Sequence, residues 1–236
     1  MKKNLFELEK KININFKNKD LLKQALIHRS YLNENPNFHL KHNERLEFLG
    51  DAVLELIVTE FLYNMYPDKP EGELTNFRAS LVNSQMLSKL AFELDLDEYI
   101  YLSKGEAQEN SKGKARHCIL ANAVEALIGS IYLDQNYKKT KKFIEKYFLV
   151  KLPEILIKKT YIDPKTKFQE VAQEKEKITP SYKVLKESGP DHDRHFQIGV
   201  YLEKELIAKG EGSSKQEAQV KAAKEALKVK KWEDEN

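Results

Sequence analysis

HNERLEFLGDAVLELIVTEFLYNMY, residues 42–66, is the stretch whose reading decides the fold. Its apolar residues recur at spacings of three and four, the period of a helix rather than the alternation of a strand. Leu46, Leu49, Val53 and Leu56 form the expected packing stripe. Glu44, Glu47 and Asp51 stand at i, i+3 and i+7, so they share another face of the same helix. Like charges so spaced destabilise a helix by roughly a few tenths of a kcal/mol per pair. Such a face is either simply solvated or answered by something positive.

A second helix bears on that choice. ILANAVEALIGSIYL, residues 119–133, is apolar apart from Asn122 and Glu125, one turn apart. A carboxylate among Leu, Ile and Val costs several kcal/mol unless paired or metal-bound, and no Lys or Arg lies within a turn of Glu125. Packing this helix on the Glu47/Asp51 face explains both oddities, because oxygen ligands from two helices would then converge on a hard divalent cation. Mg²⁺ is typically held by one or two carboxylates and keeps waters for substrate phosphates. A metal so held lowers the pKa of water and stabilises the attacking and leaving oxygens of a phosphodiester. No Ser/His/Asp set, Gly-rich phosphate loop or Cys/His zinc spacing competes.

Outward from these two helices, residues 1–150 read as all-α. FKNKDLLKQALIHRSYL (16–32) and GELTNFRASLVNSQMLSKLAFEL (72–94) repeat the helical spacing, with Pro67, Pro70 and Gly72 as punctuation. KGEAQENSKGKAR (104–116) is polar and reads as a mobile loop. Pro153 and Pro164 bracket a boundary, giving a linker over 151–162. Residues 163–232 then run helix, three β-like segments (SYKVLKES, HFQIGVYLE, KELIAKGEG) and an Ala- and Lys-rich helix, a small α+β module of order α-β-β-β-α.

Composition narrows the class. The 236 residues are 41% hydrophobic and 33% charged, globular values. A net charge of +3, from 40 basic and 37 acidic side chains, does not announce a nucleic-acid partner, so any electrostatic argument must be local. The single cysteine, Cys118, excludes an intramolecular disulfide, implies a reducing compartment, and is expected in the core. No window approaches the ~18 apolar residues of a membrane span, so a soluble, cytoplasmic protein without a membrane partner is expected.

HNERLEFLGDAVL closely resembles the signature of bacterial ribonuclease III, and ALIHRS, EGELTNFRASLVN and ILANAVEALIGSIYLD occur where that family would have them. The resemblance implies an all-α endonuclease domain over 1–150 that hydrolyses double-stranded RNA, including rRNA and mRNA precursors. It further implies Mg²⁺, with Mn²⁺ as substitute, a homodimer, and 5′-phosphate and 3′-hydroxyl ends with a short 3′ overhang. By the same resemblance Glu47 and Glu125 are metal ligands, Asp51 is a catalytic carboxylate beside the metal, and Glu44 and Glu71 are further acids of cleavage or RNA contact. Leu46, Phe48 and Leu49 would face the partner subunit. Asn122 departs from the pattern, standing where most members have the remaining Asp ligand. An amide oxygen still ligates Mg²⁺ but brings no charge, so weaker metal affinity is expected. Two other readings stay open: Asn122 as a plain helix–helix hydrogen-bonding group, and the whole chain as a non-cleaving duplex-RNA binder with an impaired metal site. A ribosome-associated structural homologue is disfavoured, since it need not keep Glu47, Asp51 and Glu125 together.

The C-terminal module resembles a double-stranded RNA-binding domain, through GPDHDRHF (189–196) and GEGSSKQEAQVKAA (210–223). Such domains read A-form shape through 2′-hydroxyls and phosphates. The resemblance places Thr166, Gln169 and Glu170 at one minor groove and Pro190 and His192 at the next. Ser213, Ser214 and Lys215 sit at a helix N-terminus that favours an anion, with Lys221 and Lys224 further along. Gln216 and Glu217 interrupt the family's denser basic cluster, so modest phosphate affinity is expected.

Overall fold

The computed structural model describes residues 4–108, 113–157, 161, 163–190 and 194–232, and the chain divides into two compact units, Met1–Tyr161 and Ile162–Asn236.

The first unit is helical throughout: α1 (Leu5–Ile12), α2 (Lys19–Ala25), α3 (Arg29–Glu34), α4 (Glu44–Met65), α5 (Glu71–Val82), α6 (Ser84–Glu93), α7 (Leu96–Tyr99), α8 (Lys104–Gln108), α9 (Lys114–Gln135), α10 (Tyr137–Tyr147) and, after a 3-10 turn at Leu149–Lys151, α11 (Leu152–Ile157). The two longest, α4 and α9, carry the two stretches described above and pack on each other at the centre. Leu54, Ile57, Val58 and Leu62 of α4 bury against a core that includes Leu120, Val124, Leu127 and Ile131 of α9. Each such side chain contributes roughly 1.5–3 kcal/mol of burial. The buried stripe of α4 is not quite the one its spacing suggests. Leu46 and Val53 are in it, Leu49 is half-buried, and Leu56 is 57% exposed, on the same side as Phe48 and Tyr63.

Two segments that read as single helices are broken. Between α2 and α3, His28 is extended (φ −74°, ψ 148°), its ring nitrogen accepts from Ser30 N–H, and Ile27 pairs with Tyr101 as an isolated bridge. Between α5 and α6, Asn83 is extended (ψ 157°) and its side chain accepts from Met86 N–H at 2.9 Å. In both places the cap satisfies orphan N–H groups and redirects the chain, while the apolar spacing runs on. The expected loop 104–116 opens with helix α8, anchored where Lys104 N–H donates to both oxygens of Glu34 at 3.1 Å. The expected linker 151–162 also differs: Leu152 and Ile155 bury in the first core, and the Tyr161 ring meets Phe77 edge-on at 4.7 Å. These apolar side chains tie residues 151–157 and Tyr161 to the first unit.

The second unit has α12 (Pro164–Lys175), β1 (Ser181–Ser188), β2 (His195–Leu202), β3 (Glu205–Gly212) and α13 (Lys215–Val229), with an antiparallel sheet of order β1-β2-β3. Pro164 at N1 and Asp163 as cap start α12. One sheet face and the two helices enclose Phe168, Val171, Val200, Leu202, Ala222, Ala226 and Trp232. Gly210 permits the close seating of α13, since a Cβ there would stand 2.2 Å from Ala222 N.

Candidate functional site

The site begins with two glycines. A Cβ at Gly50 would stand 1.7 Å from the Glu125 carbonyl oxygen, and one at Gly129 would stand 2.3 Å from that of Leu46. Backbone therefore meets backbone where α4 crosses α9, closer than the ~8–10 Å between most packed helix axes. Glu47 and Asp51 flank Gly50, and Glu125 and Asn122 lie one and two turns before Gly129. The crossing thus brings four of the candidate residues to one place. Asn122 lies close enough to Glu47 to pull its carboxyl downward. Burial pushes the Glu125 carboxyl up to about 7, with the charges of Asp51 and Glu47 adding to it. Glu47 is also raised, by burial first and then by Glu44 and Asp51, against the opposing pull of Asn122. Both Asn122 and Glu125 are half-buried rather than sealed in the core.

Beside the crossing is a cleft of about 540 Å³, lined in part by His28, Arg29, Asn43, Glu44, Glu47, Glu106, Cys118 and Asn122. Cys118, expected in the core, is exposed. It stands one turn before Asn122 and so shares its face of α9, a spacing already visible in the sequence. Glu71 is not brought to the crossing: it lies at the start of α5 in a separate cleft with Tyr63, Tyr66, Lys69 and Arg78. Among the described residues no three Asp, Glu, His or Cys side chains converge into a ready-made metal cage.

Sequence reasoning missed Asn43. It is buried, its side-chain amide donates to Ala25 O at 3.2 Å, its N–H donates to Ile27 O at 2.9 Å, and its carbonyl accepts from Glu47 N–H at 2.9 Å. It pins the first turn of α4 to the ALIHRS segment. An Asn directly before an acid-rich first turn was the available signal. Gly50 and Gly129 were also missed, since a glycine within a helix reads first as a helix weakener.

Residues 18–152 match the family model described as Ribonuclease-III-like, and residues 164–230 match the double-stranded RNA binding motif. The chain belongs to the ribonuclease III family. It is 45% identical over 233 residues to Ribonuclease 3 of a Nitratiruptor species, covering 99% of this chain and 100% of that one. It is 46% identical over 222 residues to Ribonuclease 3 of Enterococcus faecalis, covering 94% of this chain and 95% of that one. Among solved structures it resembles the nuclease domain of ribonuclease III from Campylobacter jejuni, at 41% identity and a TM-score of 0.54, covering 62% of this chain and 99% of that one. That structure is described as showing flexibility in a region involved in dimer formation.

The double-stranded RNA binding motif spans the second unit, and most of the residues expected to contact RNA lie on α12 and at the start of α13. Thr166 is exposed and bonded to Asp163, while Gln169 and Glu170 line a shallow groove with Gln173, Glu174 and Lys177. Pro190 is exposed, and His192 lies outside the described residues. Ser214 caps α13, its hydroxyl accepting from Glu217 N–H at 3.2 Å. Ser213 donates to Glu217 Oε2 through N–H and hydroxyl at 2.9 and 2.8 Å, and Lys221 pairs with Glu217 at 2.8 Å. Hydrogen bonds from Lys221 and then Ser213 pull the Glu217 carboxyl down to about 2. Glu217 thus engages Ser213 and Lys221, two of the residues expected at phosphates, where the sequence showed only an interruption of a basic cluster. Lys215 and Lys224 are exposed.

Proposed function

We propose that this chain is a double-strand-specific endoribonuclease that requires Mg²⁺, accepts Mn²⁺, and works as a homodimer in the cytoplasm. One observation carries the reading: carboxylates from two helices meet at the Gly50–Gly129 crossing in a chain that also bears a double-stranded RNA binding motif.

The donor set fits a hard divalent cation. Glu47 and Glu125 would hold it with the Asn122 amide oxygen, and a cation there would reverse the upward push on both carboxyls. When bound, it supplies Lewis acidity toward water and the phosphate. Asp51 is exposed at the edge of the crossing, where its carboxylate would receive the proton of the attacking water. The water oxygen would bond to phosphorus as the P–O3′ bond breaks, and the departing O3′ would take a proton from solvent water, leaving a 5′-phosphate and a 3′-hydroxyl. Glu44, in the cleft beside the crossing, and Glu71, in its separate cleft, are assigned to cleavage or RNA contact rather than to holding the first metal. Duplex RNA would be gripped by Thr166, Gln169, Glu170, Pro190 and His192 in minor grooves, and by Ser213, Ser214, Lys215, Lys221 and Lys224 at phosphates, displacing Glu217.

The test is a Mg²⁺ titration of cleavage of a long RNA duplex, beside Asn122→Asp. The added charge is expected to lower the Mg²⁺ requirement on the order of tenfold, the equivalent of about 1.4 kcal/mol. An unchanged requirement and rate would remove Asn122 from the ligand set. Absence of products at every Mg²⁺ and Mn²⁺ concentration, with duplex binding intact, would favour the non-cleaving binder.

The dimer is supported by α4, where Phe48 (81% exposed), Leu56 and Tyr63 (73% exposed) form an apolar stripe. Leu46, expected at the interface, is instead 5% exposed and packs within the chain against Ala25 and Ala126. Phe48→Lys is expected to give a monomer by light scattering with an unchanged helical spectrum; a dimer of unchanged affinity would move the interface elsewhere. Among the described residues no helix is long and apolar enough to cross a membrane. A lone exposed thiol such as Cys118 suits the reducing cytoplasm.

A further inference from the structure

We propose that Arg29 is a phosphate-binding residue of the cleft, gripping a backbone phosphate of the duplex beside the bond that is cut. The proposal rests on the endoribonuclease reading and adds to it a group on a different element from the carboxylates.

The first observation is charge. Glu44, Glu47 and Glu106 line the cleft, and Arg29 is its only permanently charged cation among the described lining side chains. An RNA backbone entering there brings further negative charge, and a cation beside the carboxylates offsets that repulsion. The second is availability. The Arg29 side chain is 72% exposed, and its nearest carboxylate, Glu44 Oε1, is 3.8 Å away, beyond hydrogen-bond length. No hydrogen bond among the described residues engages the guanidinium, whose planar fork matches phosphate bidentately.

The third observation is placement. The ALIHRS segment is held from both sides. Leu26 O accepts from Tyr101 N–H at 2.8 Å, and His28 N–H donates to Tyr101 O at 3.1 Å. Ile27 O and Ala25 O accept from Asn43 N–H and its amide at 2.9 and 3.2 Å. Ser30 Oγ lies 2.8 Å from His28 Nδ1 and accepts from Ser103 N–H at 3.1 Å. Asn43 also carries the first turn of α4, so the Arg29 backbone is fixed relative to Glu44 and Glu47. An exposed arginine held only by a 3.8 Å ion pair, on a backbone this constrained, is a preorganised anion contact that loses little freedom on binding.

The experiment compares full-length wild type, Arg29→Gln and Arg29→Lys on one RNA duplex. It measures kcat and KM for cleavage, Mg²⁺ requirement, and duplex affinity as a function of salt. Arg29→Gln is expected to raise KM on the order of tenfold and to lower the slope of log affinity against log salt by about 0.9, one phosphate contact. Arg29→Lys is expected to keep the salt slope while raising KM about threefold, because a point charge replaces a fork. The Mg²⁺ requirement stays constant in both. A wild-type KM and salt slope in Arg29→Gln would overturn the proposal. So would a changed Mg²⁺ requirement with an unchanged slope, which makes Arg29 a holder of Glu44. A wild type that cuts no duplex overturns the endoribonuclease reading instead, and the salt slope of binding then still decides Arg29.

Discussion

Glu125→Gln is expected to lower the rate of duplex cleavage at least ~10³-fold while duplex binding by the whole chain persists. A loss of that size corresponds to about 4 kcal/mol of transition-state stabilisation, within the several kcal/mol a positioned metal supplies. Glutamine keeps the size and one oxygen of glutamate, so the crossing of α4 and α9 has no steric reason to change. What it removes is the charge that burial, Asp51 and Glu47 oppose. The carboxyl is raised from 4.5 to about 7 in the folded chain, so between those values the folded state binds more protons than the unfolded one. Stability of the metal-free protein therefore falls as pH rises through that window and is level above it. In Glu125→Gln that fall is absent. Mg²⁺ acts in the opposite sense, binding the folded carboxylates and raising the thermal midpoint more at pH 8 than at pH 5. Cleavage kinetics, gel-shift binding and thermal midpoints at the two pH values, with and without Mg²⁺, test the set. A Glu125→Gln protein that cuts at the wild-type rate would end the metal-site reading.

The parts of this molecule that were legible from sequence are those where one periodicity governs. The i, i+3, i+7 acids of α4 and the lone Glu125 in an apolar helix pointed to a shared site, and the crossing brings Glu47, Asp51 and Glu125 into mutual electrostatic contact. All three strands and both helices of the second unit fall where the sequence reading put them. Periodicity failed where a single residue overrules it. His28 and Asn83 turn the chain by capping the next helix, although the apolar spacing continues past both. It failed again for Leu56 and Cys118, because a spacing identifies a stripe but not whether that stripe faces core, cleft or partner. Glu71 carried no such pairing in its sequence, resting on a short EG step, and its side chain lines a different cleft from that of Glu44 and Glu47.

The second large effect is expected at Gly50→Ala. The added methyl would stand 1.7 Å from Glu125 O, 2.6 Å from Glu125 C and 2.8 Å from Gly129 N. All three are backbone atoms inside a helix, so no side chain can swing aside; the helices must separate by more than an ångström or tilt. Alanine is the better helix former by about 1 kcal/mol, but overpacking of a rigid contact costs about 1–3 kcal/mol and occasionally more. The clash is expected to win, leaving the protein less stable by a net ~1–2 kcal/mol or more. Cleavage is expected to suffer beyond that, because the same displacement carries Glu47 and Asp51 away from Glu125, and about 1 Å of misplacement can cost ~10²-fold in rate. Gly72→Ala is the matched control for stability: it is also helical, nothing lies within 4 Å of its added Cβ, and only the propensity gain remains. Denaturant unfolding of the two variants, with cleavage by Gly50→Ala measured well below its midpoint, separates lost stability from lost geometry. If Gly50→Ala folds as stably as Gly72→Ala and cuts at the wild-type rate, the close crossing is not what aligns the carboxylates.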